Sequence, residues 1–327
     1  MQSAVHNEER CLTVTRPLKL ETVPCPRCGT VESRSVLCTQ DHLYGIAGNF
    51  YVASCPQCGL WYQNPRPTPE TVASAYPETY LPHNNIAPPD ASFSLARKLV
   101  RALNPIRRRY AKTALIPEWV ADGRLLELGC ADGALLQTLR ERGWHHLYGA
   151  ELSESAAQKA RARGFDVSCG PLEAALAGFP DRHFDVVVSG MVLEHLYNPF
   201  AVIREVARVL KPGGQFLFST ISRDSLDARL YGNYWAGFDL PRHMVYFTRD
   251  DLRSALGTDF EQTRCVYQLA WVDFLRSSSW RRANREAHVL DLAVLAIGMS
   301  LLGELLSLPL AWLRLTSRVS FTCRRRH

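Results

Sequence analysis

The chain has 327 residues, 46% hydrophobic and 21% charged, enough apolar material for a sizeable core and for two domains or one with additions. The net charge of +6 is partly clustered, with seven basic residues and no acid between Arg97 and Lys112 and three arginines at Arg324–Arg326. These are read as solvated basic faces, with attraction to an anionic surface as the sharper alternative. No recognition motif accompanies them, so no specific nucleic acid is expected.

Residues 1–23 read as a polar lead-in. Glu8, Glu9 and Arg10 interrupt any apolar core segment there, so no secretory signal is read and a cytoplasmic location is expected. The ten cysteines then belong to a reducing compartment, where metal binding outranks disulfides. Residues 24–64 hold two CxxCG knuckles, Cys25-Pro-Arg-Cys28-Gly and Cys55-Pro-Gln-Cys58-Gly, with 26 residues between Cys28 and Cys55. Each knuckle puts two thiolates on one tight turn. Cys25, Cys28, Cys55 and Cys58 together make a closed four-thiolate site suited to a structural Zn²⁺. Residues 65–117 follow as a proline-rich linker and a basic helix.

From residue 118 to 327 strands and helices alternate. Arg124–Gly129, Leu147–Leu152, Phe165–Cys169, Phe184–Ser189 and Gln215–Thr220 read as strands. Ala134–Arg142, Glu154–Arg163 and Pro199–Leu210 read as helices, the last stopped by Lys211-Pro-Gly-Gly214. This predicts an α/β, Rossmann-like, doubly wound sheet covered on both faces. Phe260–Trp271 and Arg318–Arg324 are expected as sixth and seventh strands. Between them an apolar helical insertion is expected over about 275–315, broken at Pro309.

In such sheets ligands sit beyond the carboxyl ends of the strands. The first strand leads into Glu127-Leu-Gly129-Cys130-Ala-Asp132-Gly133, where glycines allow a tight turn and close backbone approach. The third glycine of a dinucleotide fingerprint is absent, which counts against a nicotinamide dehydrogenase. Glu151 ends the second strand 22 residues after Gly129, placed to accept bonds from two ribose hydroxyls. A loop at Gly190–His195 follows the fourth strand.

These elements, in this order, resemble the class I S-adenosylmethionine (SAM)-dependent methyltransferases over about residues 118–260. LELGCADG is similar to the family's first motif, AELS to its ribose-binding acid, and FDVVVSGMVLEHLYNP and VLKPGG to later motifs. The resemblance implies SAM as cofactor, with contacts from Glu127, Gly129, Cys130, Asp132, Gly133, Glu151, Leu152, Leu172 and Gly190. Where many relatives carry an acid near the adenine, this chain has Pro171, so backbone groups and Leu172 are expected there instead.

For chemistry, His195 sits in the loop after the fourth strand, and its ordinary pKa suits proton transfer. Trp235–His243 follows the fifth strand. Its aromatics are candidates for stacking, Arg242 for holding a phosphate or carboxylate, and His243 for moving a proton. The alternative for each is a packed loop with a hydrogen-bonded histidine. The W…PRH…F segment is similar to one in methyltransferases of cell-envelope pathways, and the cysteine module resembles the lead domain of some sugar C-methyltransferases. A small-molecule or lipid-linked acceptor is therefore expected, a sugar or glycan intermediate first and a quinone-like or phenolic molecule (O-methylation) second. An adaptor with a degenerate methyltransferase fold is the competing class. The 275–315 segment with its arginines is expected to touch a membrane surface at its inner face, to cover the core, or to form a homodimer face. Its longest uncharged run, Leu292–Gly303, has 12 residues, too short to span a bilayer.

Overall fold

The computed structural model describes residues 18–76, 115–286, 288–298 and 301–327. The basic segment Arg97–Lys112 and most of the lead-in lie outside the described residues. The strands are β1 (Leu20–Glu21), β2 (Arg34–Thr39), β3 (Phe50–Ser54), β4 (Trp61–Gln63), β5 (Arg66–Pro67), β6 (Arg124–Leu128), β7 (His146–Glu151), β8 (Asp166–Cys169), β9 (Phe184–Gly190), β10 (Leu210–Ile221), β11 (Val245–Tyr246), β12 (Phe260–Tyr267) and β13 (Arg318–Arg325). Seven of them form one sheet in the order β12, β13, β10, β9, β6, β7, β8. β6 to β10 pair in parallel, and β13 is antiparallel between β10 and β12.

The helices are α1 (Ala134–Arg140), α2 (Glu154–Ala162), α3 (Leu172–Ala177), α4 (Pro199–Val209), α5 (Leu226–Tyr231), α6 (Arg249–Leu256), α7 (Trp271–Ala283), α8 (Val289–Ile297) and α9 (Leu301–Trp312). Alternate strand residues face opposite layers. Leu126, Leu128, Val187, Phe216 and Phe218 join a core with α3, α4 and α6, whereas Leu125, Val186, Val188 and Leu217 join one with α1 and α2. α4 illustrates the local logic. Asn198 caps it by accepting from Ala201 N at 3.0 Å, Pro199 opens it, and Phe200, Val202, Ile203, Val206 and Val209 bury one stripe.

The doubly wound sheet stands as the sequence predicts, with several boundary corrections. β10 begins at Leu210 and absorbs Lys211–Gly214 in an irregularity, because Lys211 Nζ reaches Asp185 at 2.8 Å on β9. The sixth strand ends at Tyr267, since Trp271 opens α7 and buries its indole against Phe274. Pro309 lies inside α9 and does not end it. The helix forgoes the one hydrogen bond a proline cannot donate, and Pro309 O still accepts from Leu313 N at 2.8 Å.

The segment between β12 and β13 is α7, α8 and α9. The acid Asp291, which interrupts the apolar run in sequence, is buried and paired with Arg281 through two bonds of 2.8 and 2.6 Å. Val289, Trp312 and Leu313 are exposed. No helix among the described residues is long and apolar enough to cross a membrane.

A second sheet is the feature the sequence reading lacked. β2, β3 and β4 form an antiparallel sheet in the cysteine module, and β11 joins its edge through Val245 opposite Tyr62 and Tyr246 opposite Trp61. The module is thus built into the sheet domain. Arg27 reaches Asp251 at 2.8 Å on α6, and Arg223 lies over the Trp61 ring at 4.5 Å. A third core fills the junction with Phe50, Val52, Trp235, Phe238, Tyr246 and Trp271.

In that core the Trp235 Nε1–H donates to Asp227 Oδ2 at 2.8 Å. Burial, with Asp273 adding to it, raises the Asp227 carboxyl to about 6. A folded-state pKa above the unfolded value of roughly 3.9 means that this group's contribution is present at low pH and lost as pH rises through about 6. Asp227→Asn keeps an acceptor for the indole without the charge. Its thermal stability is expected to exceed the parent's by roughly 2–3 kcal/mol above pH 7, with the gain vanishing below about pH 4; melts across that range check the crossover.

Candidate active site at the carboxyl edge of the sheet

The chain leaves β6 toward β7 on one side and returns through β9 on the other, so a crevice opens at the carboxyl end of β6. The turn after β6 is drawn tight by Ala150 O, which accepts from both Gly129 N at 2.8 Å and Cys130 N at 3.1 Å. Gly129 has φ +70°, and a Cβ there would lie 2.5 Å from Val192 Cγ2. The glycine therefore lets the loop after β6 meet the loop after β9. Gly133, with φ +79°, precedes α1 where a side chain would press on Phe165 and Ala160. Gly190 ends β9, followed by Met191 at φ +57°.

Three acids line the first loop. Glu151, at the end of β7, accepts from Ala131 N at 2.9 Å through one oxygen and from Ser153 N at 2.8 Å through the other. Asp132 pairs with Arg163 at 2.8 Å and caps Ala134 N at 3.2 Å. Glu127 is buried, and its Oε2 has no hydrogen-bond partner. Burial, then the facing Glu151 and Asp132, push its pKa well up. A buried carboxylate oxygen without a donor, beside two further acids, suits a cationic ligand.

Two expected contacts are corrected. The Cys130 side chain turns into the core, where a Cβ on Gly149 would lie 2.6 Å from its sulfur, so Cys130 can offer a ligand only its backbone. Leu172 is buried with Leu176 and Phe184 in the sheet core, because α3, absent from the sequence reading, needs it for packing. Leu152 is half exposed beside Glu151.

Beyond β9 and β10 lies a second cluster. The Leu193–His195 turn is 3₁₀, and Met244 N donates to Glu194 O at 2.7 Å, which ties this loop to the Trp235–His243 loop. His195 and His243 meet edge to face with centroids 4.5 Å apart. Burial pushes the His195 imidazolium down to about 3, so the ring is neutral at physiological pH. The ordinary histidine pKa expected from sequence does not survive this environment. Tyr76 Oη, which sequence reading missed, lies 3.1 Å from His195 Nδ1.

Arg242 is corrected as a substrate-binding group. Its guanidinium is fully buried and donates to Asp41 at 2.7 and 3.0 Å, to Asp239 at 2.7 and 3.0 Å, and to Ala75 O at 3.1 Å. It stands 4.8 Å over the Tyr44 ring. With its donors so engaged it is a structural bridge between the cysteine module and the histidine loop. Trp235 and Phe238 are core residues and not stacking platforms. Asp41 carried no sequence signal, since its partner is 201 residues away.

In the module, the sulfurs of Cys25, Cys28, Cys55 and Cys58 lie within 4.8 Å of one another. Cys25 Sγ is 3.6 Å from Cys58 Sγ, and Cys28 Sγ is 3.5 Å from Cys55 Sγ. Four converging thiols on two turns fit a tetrahedral metal.

A family model described as a methyltransferase domain matches residues 95–260. The chain belongs to that methyltransferase family. Relatives named ubiquinone biosynthesis O-methyltransferase include that of Idiomarina loihiensis, 32% identical over 142 residues, which are 42% of this chain and 55% of the relative. That of Methylococcus capsulatus is 36% identical over 140 residues, 41% of this chain and 56% of the relative. The chain spans about half the length of the curated relatives it matches. An S-adenosylmethionine-dependent methyltransferase from Mesorhizobium loti, of solved structure, shares 21% identity and a TM-score of 0.45 over 68% of this chain and all of that one. The loop after β6 lies within the matched residues, and the three acids facing it suit a cationic ligand.

Arg242→Met leaves Asp41 and Asp239 buried without their cation. Thermal or urea unfolding is expected to show a loss of roughly 3–5 kcal/mol, well beyond that of a surface arginine.

Proposed function

We propose that this methyltransferase transfers the methyl group of SAM to a hydroxyl of a phenolic or quinone-like small molecule. The observation that carries this is the contact geometry at Gly129, where the cofactor loop abuts Val192, two residues before Glu194 and three before His195. Donor and proton-handling groups then face one crevice. SAM is held there by the backbone after β6, with Glu151 for its ribose and Glu127 and Asp132 facing its positive charge. The acceptor oxygen attacks the methyl carbon, and the carbon–sulfur bond breaks with its electron pair on sulfur. The acceptor's proton leaves through the Glu194–His195–His243 cluster to water. Holding the partners in line supplies much of the rate.

A sugar or glycan acceptor came first in the sequence reading. The relatives' names favour the phenolic acceptor. The burial of Arg242 also removes the group that was to hold an acceptor phosphate. The exposed apolar residues of α8 and α9, near exposed Arg282 and Arg285, suit contact with a lipid surface and a lipid-tailed acceptor.

The test pairs calorimetric SAM binding with labelled-methyl transfer to catechol-type acceptors. Glu151→Ala is expected to weaken SAM binding at least tenfold, because the acid also holds the loop. His195→Ala and His243→Ala are expected to retain SAM binding and lose turnover by roughly 10²–10⁴. Full turnover in both histidine variants would sink the assignment of the cluster.

We further propose that the four-cysteine cluster holds a structural Zn²⁺. Elemental analysis of metal-replete protein is expected to find zinc there, and Cys55→Ser to lose it together with thermal stability. Parent protein without bound zinc contradicts the assignment.

A further inference from the structure

The Glu194–His195–His243 cluster has a donor arrangement that proton transfer alone does not explain. One Glu194 oxygen accepts from Thr220 Oγ1 at 2.7 Å. The other, Oε1, has no hydrogen-bond partner although the residue is wholly buried. Leaving such an oxygen unsatisfied costs about 1–3 kcal/mol. One carboxylate oxygen of Glu194 and one ring nitrogen of each histidine lie within 4.8 Å of one another.

Two backbone carbonyls bear on the tautomers. His243 Nδ1 is 2.9 Å from Gly237 O, and His195 Nδ1 is 3.1 Å from Arg242 O. A carbonyl only accepts, so each contact is satisfied by a hydrogen on Nδ1; at His195 that nitrogen also meets Tyr76 Oη at 3.1 Å, which can accept the same hydrogen. Two imidazoles and a buried carboxylate with one unpartnered oxygen therefore converge. Histidines that bind metals show this same arrangement, with the far ring nitrogen anchored on a carbonyl. Asp239 Oδ2, 3.7 Å from His243 Nε2, adds negative charge at the rim.

We propose that Glu194, His195 and His243 form a second metal site, distinct from the four-cysteine cluster, that takes a divalent first-row ion such as Zn²⁺ and presents it to the acceptor oxygen. Two imidazoles and one carboxylate are the ligand set of an open site, three protein ligands with a position left for water or substrate. Nitrogen and oxygen ligands at about 2.1 Å from an ion stand roughly 3.3 Å apart, so these donors, within 4.8 Å of one another, draw closer when the ion binds. An acceptor hydroxyl on the open position becomes more acidic, its proton leaves to water, and the oxygen keeps its lone pair for the methyl carbon. The role assigned to the ion rests on the proposed function; the binding site does not.

The test is titration of Co²⁺ into full-length protein whose cysteine cluster already holds zinc. One further equivalent is expected, with the weak visible bands of nitrogen and oxygen ligation and no thiolate charge-transfer band. Glu194→Gln and His243→Asn are expected to lose that equivalent while keeping the zinc of the cysteine cluster and SAM binding, which also reports that they fold. The parent protein alone can overturn the site, by taking up no further Co²⁺ or by showing thiolate bands. Equal Co²⁺ uptake in both variants overturns it as well. If Co²⁺ binds as expected and no phenolic acceptor is methylated, the acceptor assignment fails and the metal site stands. If phenols are methylated at an undiminished rate after a chelator removes the second ion but not the first, the ion's catalytic role fails and the acceptor assignment stands.

Discussion

The buried Arg242 guanidinium between Asp41 and Asp239 is the interaction on which the rest of the site depends. Taking three charges out of water is costly, and only close geometry with every donor engaged offsets it. That condition is met here, with two carboxylates and the Ala75 carbonyl around a fully buried guanidinium. The consequence reaches the chemistry through the backbone. The Arg242 carbonyl anchors His195, the next residue is His243, and β11, which follows, joins the cysteine-module sheet. One ion cluster thereby aligns two loops from the methyltransferase sheet with a module from the other end of the sequence.

Electrostatics divide the crevice into two halves. Around the loop after β6, Glu127, Glu151 and Asp132 gather three carboxyl groups, and burial with their crowding pushes the Glu127 pKa well up. Across Gly129, the second half contains two imidazoles and a buried glutamate. The two clusters are thus kept apart by one glycine turn. Gly129 has to be a glycine on two counts, its positive φ and the closeness of Val192. The same economy of space appears at Gly149, which gives way to the Cys130 sulfur.

Much of the sheet was legible because its strands are apolar runs separated by helices of regular length, and because Gly129, Glu151 and the Lys211–Gly214 turn keep a recognisable order. The four cysteines were legible because CxxCG knuckles state their own geometry. Less legible were α3 and α6, short helices whose apolar residues carry no long period. Arg242 and Trp235 were misread because a charged or aromatic residue in a loop near a cleft invites a ligand. Their true partners, Asp41 and Asp227, are set by packing and not by spacing. Tyr76 was missed for the same reason, since its contact with His195 spans 119 residues.

From sequence alone, local patterns determined the fold class, the methyltransferase family and the four-cysteine module, because each is encoded within a few neighbouring residues. The tertiary structure decided what the histidines and arginine do. Burial sets the ionisation of His195, a distant aspartate consumes Arg242, and the fold brings His195 and His243 beside Glu194. Those outcomes depend on which groups meet across the chain and on how much water is excluded there. Neither quantity is written in the spacing of residues.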